Sequence, residues 1–108
     1  MRYRLLGQTG LYVSELCLGT MTYGGGGAGI WASIGKLQQG AVDEQVKAAV
    51  DAGINFIDTA NVYSLGQSET LLGQSLKSLA LPRHQLIIAT KATGAMNETP
   101  NEIGRAHV

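Results

Sequence analysis

The chain is 108 residues long, carries eight basic against eight acidic side chains for a formal net charge of zero, and contains a single cysteine. That length holds one domain at most, and the charge balance excludes both a basic face for nucleic acid and a polybasic segment for a membrane surface. Cys17 has no partner for an internal disulfide, and no stretch approaches the ~20 apolar residues that a membrane span needs. The expected partner is therefore a small molecule or another protein, and the expected compartment is the reducing cytoplasm. Cys17, flanked by Leu16 and Leu18, is expected in the core. Arg2 and Arg4 have no uninterrupted apolar segment behind them, so no secretory leader is expected.

In chain order, residues 3–6 and 11–15 are short β-prone runs around Gly7-Gln8-Thr9-Gly10, which predicts a hairpin. Leu16-Cys17-Leu18, ended by Gly19-Thr20, suits a buried parallel strand that opens into a loop. Residues 23–40 shift to glycine, with Gly24, Gly25, Gly26, Gly27 and Gly29 ahead of Trp31, and predict a long flexible loop of the kind that forms lids and binding loops. Gly24, Gly26 and Gly29 spell a G-x-G-x-x-G pattern, but a glycine run meets it by composition, and the residues that follow are poor helix formers. The segment from Gly29 to Lys36 fails as a phosphate loop, because Leu37 stands where Ser or Thr is required. Trp31 either forms one wall of a substrate pocket or anchors the loop.

Val42, Val46, Ala49 and Val50 recur at helical spacing, with Asp43 and Glu44 in the expected first turn and Gly53 as the stop. Ile54 to Ile57 reads as a second buried strand, delivering Asp58 at its end and Tyr63 in the following loop. Ser68 is the expected N-cap of a second helix whose buried face is Leu71, Leu72, Leu76 and Leu79, and which Pro82 forbids to continue. Residues 86–91 form a third core strand ending in Lys91. Strands alternating with helices predict right-handed βαβ units and an α/β fold with a parallel sheet. Residues 92–100 read as a polar loop, and 101–108 as the approach to another helix.

The chemistry is expected at Asp58, Tyr63 and Lys91. Asp58 and Lys91 end consecutive strands, which in a parallel sheet lie ~4.8 Å apart, so an ion pair is within reach. A tyrosine hydroxyl is ordinarily a weak acid with a pKa of about 10. A neighbouring ammonium favours the phenolate, and a nearby carboxylate keeps that ammonium charged. Such a triad can donate a proton to a carbonyl oxygen, a step worth ~10² to 10⁴ in rate. The same spacing also suits a structural Asp–Lys pair with the tyrosine ring packed beside it.

The run Gly53-Ile54-Asn55-Phe56-Ile57-Asp58-Thr59-Ala60-Asn61-Val62-Tyr63-Ser64, followed by Gly66-Gln67-Ser68-Glu69 and Leu72-Gly73, resembles the signature of the aldo-keto reductase superfamily. Tyr3-Arg4-Leu5-Leu6-Gly7, Thr9-Gly10-Leu11, Val13-Ser14, Leu18-Gly19-Thr20-Met21 and Ala89-Thr90-Lys91 resemble that family's opening hairpin and its first and third barrel strands. The branch most similar contains bacterial reductases and potassium-channel β subunits. The resemblance implies the N-terminal part of a (β/α)₈ TIM barrel, a fold that normally takes roughly 250 residues. It implies one partial domain, with a hairpin cap over 1–15, the first three barrel strands and two helices over 16–91, and a loop and helix start over 92–108.

On that resemblance Asp58, Tyr63 and Lys91 match three members of a catalytic tetrad in which Tyr63 donates the proton while NADPH delivers a hydride to the carbonyl carbon. Gly19, Thr20, Met21 and Asp58 are implied at the nicotinamide end of the cofactor, and Trp31 with Tyr63 at the substrate; no metal is implied. The fourth member, a histidine at the end of the next strand, is absent: His84 precedes the third strand, His107 falls beyond it, and both read as surface residues. The loops that grip the adenosine phosphate are also missing. The implied function is NADPH-dependent carbonyl reduction with the short chain inactive alone. The alternative is a binding or regulatory member, and open sheet edges lead to an expectation of self-association or pairing with a complementing fragment.

Overall fold

The computed structural model describes residues 1–25 and 29–99. Strands β1 (Tyr3–Leu5) and β2 (Tyr12–Ser14) form an antiparallel hairpin, and β3 (Leu18–Gly19), β4 (Phe56–Asp58) and β5 (Ile87–Ala89) form a parallel sheet in the order β3-β4-β5. Between them lie α1 (Trp31–Ile34), α2 (Gln39–Asp51) and α3 (Gln67–Ser78). The alternation of strand and helix read from the sequence is therefore present. Among the described residues no helix is long and apolar enough to cross a membrane.

The sheet has two unlike faces because side chains alternate along each strand. Leu18, Ile57 and Ile88 lie in register across the three strands. They face the helices: Ile57 is fully buried and clusters with Tyr23, Val42, Val46 and Leu72, while Leu18, Ile88, Leu71, Leu76 and Leu79 pack around that cluster. The next row, Gly19, Asp58 and Ala89, is also in register and faces away from the helices. One residue step along each strand thus separates the apolar core from the polar strand ends.

Helix α2 starts at Gln39, earlier than the apolar stripe indicates, so Asp43 and Glu44 are not in its first turn. The cause is tertiary. Gln39 Nε2 donates to Asp43 Oδ1, to the Leu71 carbonyl and to Ser75 Oγ, tying the opening turn to α3 despite the low helix propensity of Gly40. Gly53 ends the helix as expected, with φ of 96° in the left-handed region that follows a helix C-terminus. Its carbonyl accepts a 2.6 Å bond from the Tyr3 hydroxyl, and Asn55 holds the hairpin through Ser14 N–H to Asn55 Oδ1 (2.7 Å) and Asn55 Nδ2 to the Tyr12 carbonyl (3.0 Å).

Ser68 is not the N-cap of α3. The helix begins at Gln67 with Gly66 before it, and Ser68 is fully buried with its hydroxyl turned to Thr20. Cys17 is exposed rather than in the core, because it falls on the sheet face that turns away from the helices. The segment expected as one long loop contains the single helical turn α1, and its neck is closed by bonds from Gly24 N–H to the Leu37 carbonyl (2.8 Å) and from Lys36 N–H to the Thr22 carbonyl (2.9 Å). His84 lies exposed in a short turn ahead of β5. The expected helix start over 101–108, with His107, lies outside the described residues.

Candidate active site

The site forms where β3, β4 and β5 end. Gly19 and Asp58 are partners across β3 and β4, and Asp58 and Ala89 across β4 and β5. Backbone pairing continues past the strands, from Thr20 N–H to the Asp58 carbonyl (3.1 Å), from Thr59 N–H to the Ala89 carbonyl (2.8 Å) and from Asn61 N–H to the Lys91 carbonyl (3.0 Å). This zipped extension fixes Lys91 beside Asp58. Lys91 Nζ donates to Asp58 Oδ1 at 2.8 Å, to Asp58 Oδ2 at 2.9 Å and to the Thr59 carbonyl at 2.7 Å. All three ammonium donors are engaged. The hydrogen bonds to Asp58 hold the Lys91 ammonium above the usual lysine range, against partial desolvation and with help from the Asp58 charge.

Tyr63 begins a tight turn after β4, and Lys91 Nζ stands 5.2 Å from its ring centroid, within cation–π range. Its other neighbour is Trp31, with ring centroids 5.9 Å apart and planes inclined by 57°, a tilted aromatic contact. The structure therefore gathers four of the residues singled out from the sequence, Asp58, Lys91, Tyr63 and Trp31, at one end of the sheet. The Asp58 and Lys91 side chains remain 41% and 49% exposed, so the pair faces an open surface.

Gly19 has open space above its Cα, and the Met21 side chain is exposed on the same end. With Asp58 they are the residues at the strand ends that could hold the flat ring of a cofactor. Thr20 is placed differently. It is fully buried, and its hydroxyl donates to the Asp58 carbonyl at 3.0 Å while accepting from Ser68 Oγ at 3.0 Å. Ser68 Oγ also lies 2.7 Å from the Thr20 carbonyl. Thr20 and Ser68 thus bolt the start of α3 to the backbone that carries Asp58.

Sequence reasoning passed over this bolt because Ser68 looks like a helix cap, and it passed over Asn61, whose Nδ2 donates to the Gly94 carbonyl at 3.0 Å and ties the loop after β5 to the loop after β4. The signal was present only as small polar residues in the loop after Asp58. Around the site the buried oxygens Thr59 Oγ1, Asn61 Oδ1 and Ser64 Oγ have no hydrogen-bond partner among the described residues.

A family model described as the aldo/keto reductase family matches residues 15–107. An aldo-keto reductase of Alternaria alternata is 41% identical over 96 residues, which is 89% of this chain and 25% of that protein. A potassium-channel β-subunit-like protein of Schizosaccharomyces pombe is 39% identical over 110 residues, covering 98% of this chain and 29% of the relative. Among solved structures, the holo form of an aldo-keto reductase from Bacillus halodurans superposes with a TM-score of 0.71 at 28% identity, over 94% of this chain and 29% of that one. The chain thus spans between 25% and 29% of the length of the curated relatives it matches.

Proposed function

The chain belongs to the aldo/keto reductase family, and from that premise we propose that its strand ends provide the proton-transfer side of NADPH-dependent reduction of an aldehyde or ketone to an alcohol. The observation that carries this reading is the forked Lys91–Asp58 pair with its ammonium 5.2 Å from the Tyr63 ring. Tyr63 donates its hydroxyl proton to the carbonyl oxygen. Lys91 offsets the negative charge left on the phenol oxygen, and Asp58 holds Lys91 charged and aimed. Gly19, Met21 and Asp58 would hold the nicotinamide end of NADPH, with Thr20 supporting them from within; when bound, that cofactor supplies the hydride for the carbonyl carbon. Trp31 walls the substrate side of Tyr63.

The reading also needs a fourth group, a histidine, and a grip on the cofactor's adenosine end, neither of which the residues at this site supply. The 108-residue chain alone is therefore proposed to show neither measurable NADPH binding nor carbonyl turnover. The test uses two proteins: the chain itself, and a graft in which it replaces the matching quarter of the Alternaria alternata reductase. Carbonyl-dependent oxidation of NADPH is expected in the graft only, and Tyr63→Phe in the graft is expected to lower it by ~10² to 10⁴. Undiminished turnover in Tyr63→Phe, or robust turnover by the short chain, defeats the proposal.

A second reading is favoured by the match over 98% of the chain to the channel-subunit-like relative, namely a binding or regulatory role. It predicts that the graft binds NADPH, seen as a change in the cofactor's fluorescence, without reducing carbonyls.

A further inference from the structure

Tyr63 is followed by two residues in a conformation that side chains rarely adopt. Ser64 has φ 48° and ψ 37°, and Leu65 has φ 52° and ψ 44°. Such a pair persists only where its surroundings hold it. What holds Ser64 is a slot made by glycines. A Cβ built on Gly24 would stand 2.8 Å from the Ser64 Cβ, and one on Gly35 would stand 2.5 Å from the Ser64 Oγ. Gly25 in turn lies so close to Gly35 that a Cβ on it would meet the Gly35 carbonyl oxygen at 1.4 Å. Gly35 has an ordinary φ of −80°, so its want of a side chain serves close approach and not backbone freedom. Ser64 itself is buried, and its hydroxyl has no hydrogen-bond partner among the described residues. The slot therefore reads the shape of the side chain.

The two walls of the slot are the two sides of the loop that carries Trp31. Gly24 belongs to the zipped neck, and Gly35 directly follows α1, its N–H bonded to the Trp31 carbonyl at 2.9 Å. We infer that Ser64 is a positioning residue: seated between Gly24 and Gly35, it locks the Trp31 turn onto the residue beside Tyr63 and so sets the Trp31–Tyr63 spacing. The consequence for catalysis rests on the reading of Tyr63 as the proton donor; the geometric claim does not.

Trp31 is the sole tryptophan of the chain, so its fluorescence reports how closely that ring stays packed. The experiment measures Trp31 emission and acrylamide quenching in the 108-residue chain well below its unfolding transition, with far-UV circular dichroism as the check on fold. Ser64→Gly suits the backbone angle but empties the slot, and it is expected to shift the emission to the red and raise quenching. Ser64→Ala keeps the Cβ against Gly24 but loses the Oγ that faces Gly35, and is expected to shift the emission less than Ser64→Gly does. Unchanged emission in Ser64→Gly, or equal shifts in Ser64→Gly and Ser64→Ala, overturns the inference. In the graft, Ser64→Gly is expected to lower kcat more than it changes KM for NADPH. If Tyr63→Phe keeps full turnover while Ser64→Gly still shifts the emission, the proton-donor reading has failed and the positioning has not.

Discussion

Lys91 reaches back from two residues beyond β5 to grip both carboxylate oxygens of Asp58, the last residue of β4, at 2.8 and 2.9 Å. The pair is partly exposed, so solvent screens it, and its worth to folding is small. Lys91→Met or Asp58→Asn is expected to change unfolding free energy by no more than about 1 kcal/mol. Turnover in the graft is expected to fall by roughly 10² or more in either variant, since Lys91→Met removes the charge beside Tyr63 and Asp58→Asn removes the carboxylate that aims it. Urea denaturation beside steady-state kinetics separates the two effects, and a large stability loss with intact turnover would make the pair structural.

Tyr23 is fully buried at the centre of the core, and its hydroxyl has no partner among the described residues. An unmet buried hydroxyl carries a desolvation cost, so Tyr23→Phe is expected to leave stability unchanged or raise it by up to about 1 kcal/mol, against a loss of about 3 kcal/mol or more in Tyr23→Ala. Denaturant midpoints of the two variants decide the matter.

Burial pushes the Tyr23 hydroxyl up to about 12. Its folded pKa therefore stands above the unfolded value of about 10. Lys91 is also raised, by its bonds to Asp58. For both groups the folded state holds its proton more tightly, so their contribution is complete below the unfolded pKa and is lost as pH rises through the folded one. Stability is expected to decline from about pH 10 upward, and Tyr23→Phe should flatten the part of that decline nearest pH 12. An alkaline limb identical in the variant would contradict this.

At the acid end the relevant group is Asp43, whose carboxylate accepts bonds from Ser75 Oγ and Gln39 Nε2, which hold its pKa below the usual range. The folded pKa is depressed, so the contribution is present above the unfolded value of about 3.9 and disappears as pH falls through the folded value. Asp43→Asn is expected to weaken the pH dependence of thermal unfolding below about pH 4. Ser75→Ala should do the same, because it removes the first of the two bonds.

Ser68 ties α3 to the Thr20 carbonyl and, through the Thr20 hydroxyl, to the Asp58 carbonyl. Ser68→Ala strips partners from groups that stay buried and is expected to cost about 1–3 kcal/mol. A loss confined to a few tenths, measured by urea unfolding, would show that the bolt is slack.

Among the described residues β3 and β5 are the two edges of the parallel sheet. Edge strands offer unpaired backbone groups, and the 108-residue chain is expected to associate with itself or with a complementing strand. Light scattering should give a mass above that of one chain, and a monomer that persists at high concentration would count against it.

The sequence by itself determined the order of elements and the catalytic candidates. Apolar runs of strand length at Leu18, Ile57 and Ile88, and helical stripes through Val42, Val46 and Leu72, are local patterns that one sheet face and two helices have to bury together. Asp58 could be placed at a strand end because a strand's last residue is set by where its apolar run stops, whereas β5 stops at Ala89, two residues short of the expected end at Lys91. What only the tertiary structure decided depends on contacts between distant segments. Gln39 belongs to a helix because Leu71 and Ser75 accept its amide, not because Gly40 favours one. Ser68 points inward because Thr20 is there to receive it. The glycines at 24 and 35 read as slack in the sequence, and only the packed chain shows that their missing side chains are the room in which Ser64 sits, one residue past Tyr63. A residue's propensity records its own freedom, whereas the shape of the space it leaves for others exists only once the chain has folded.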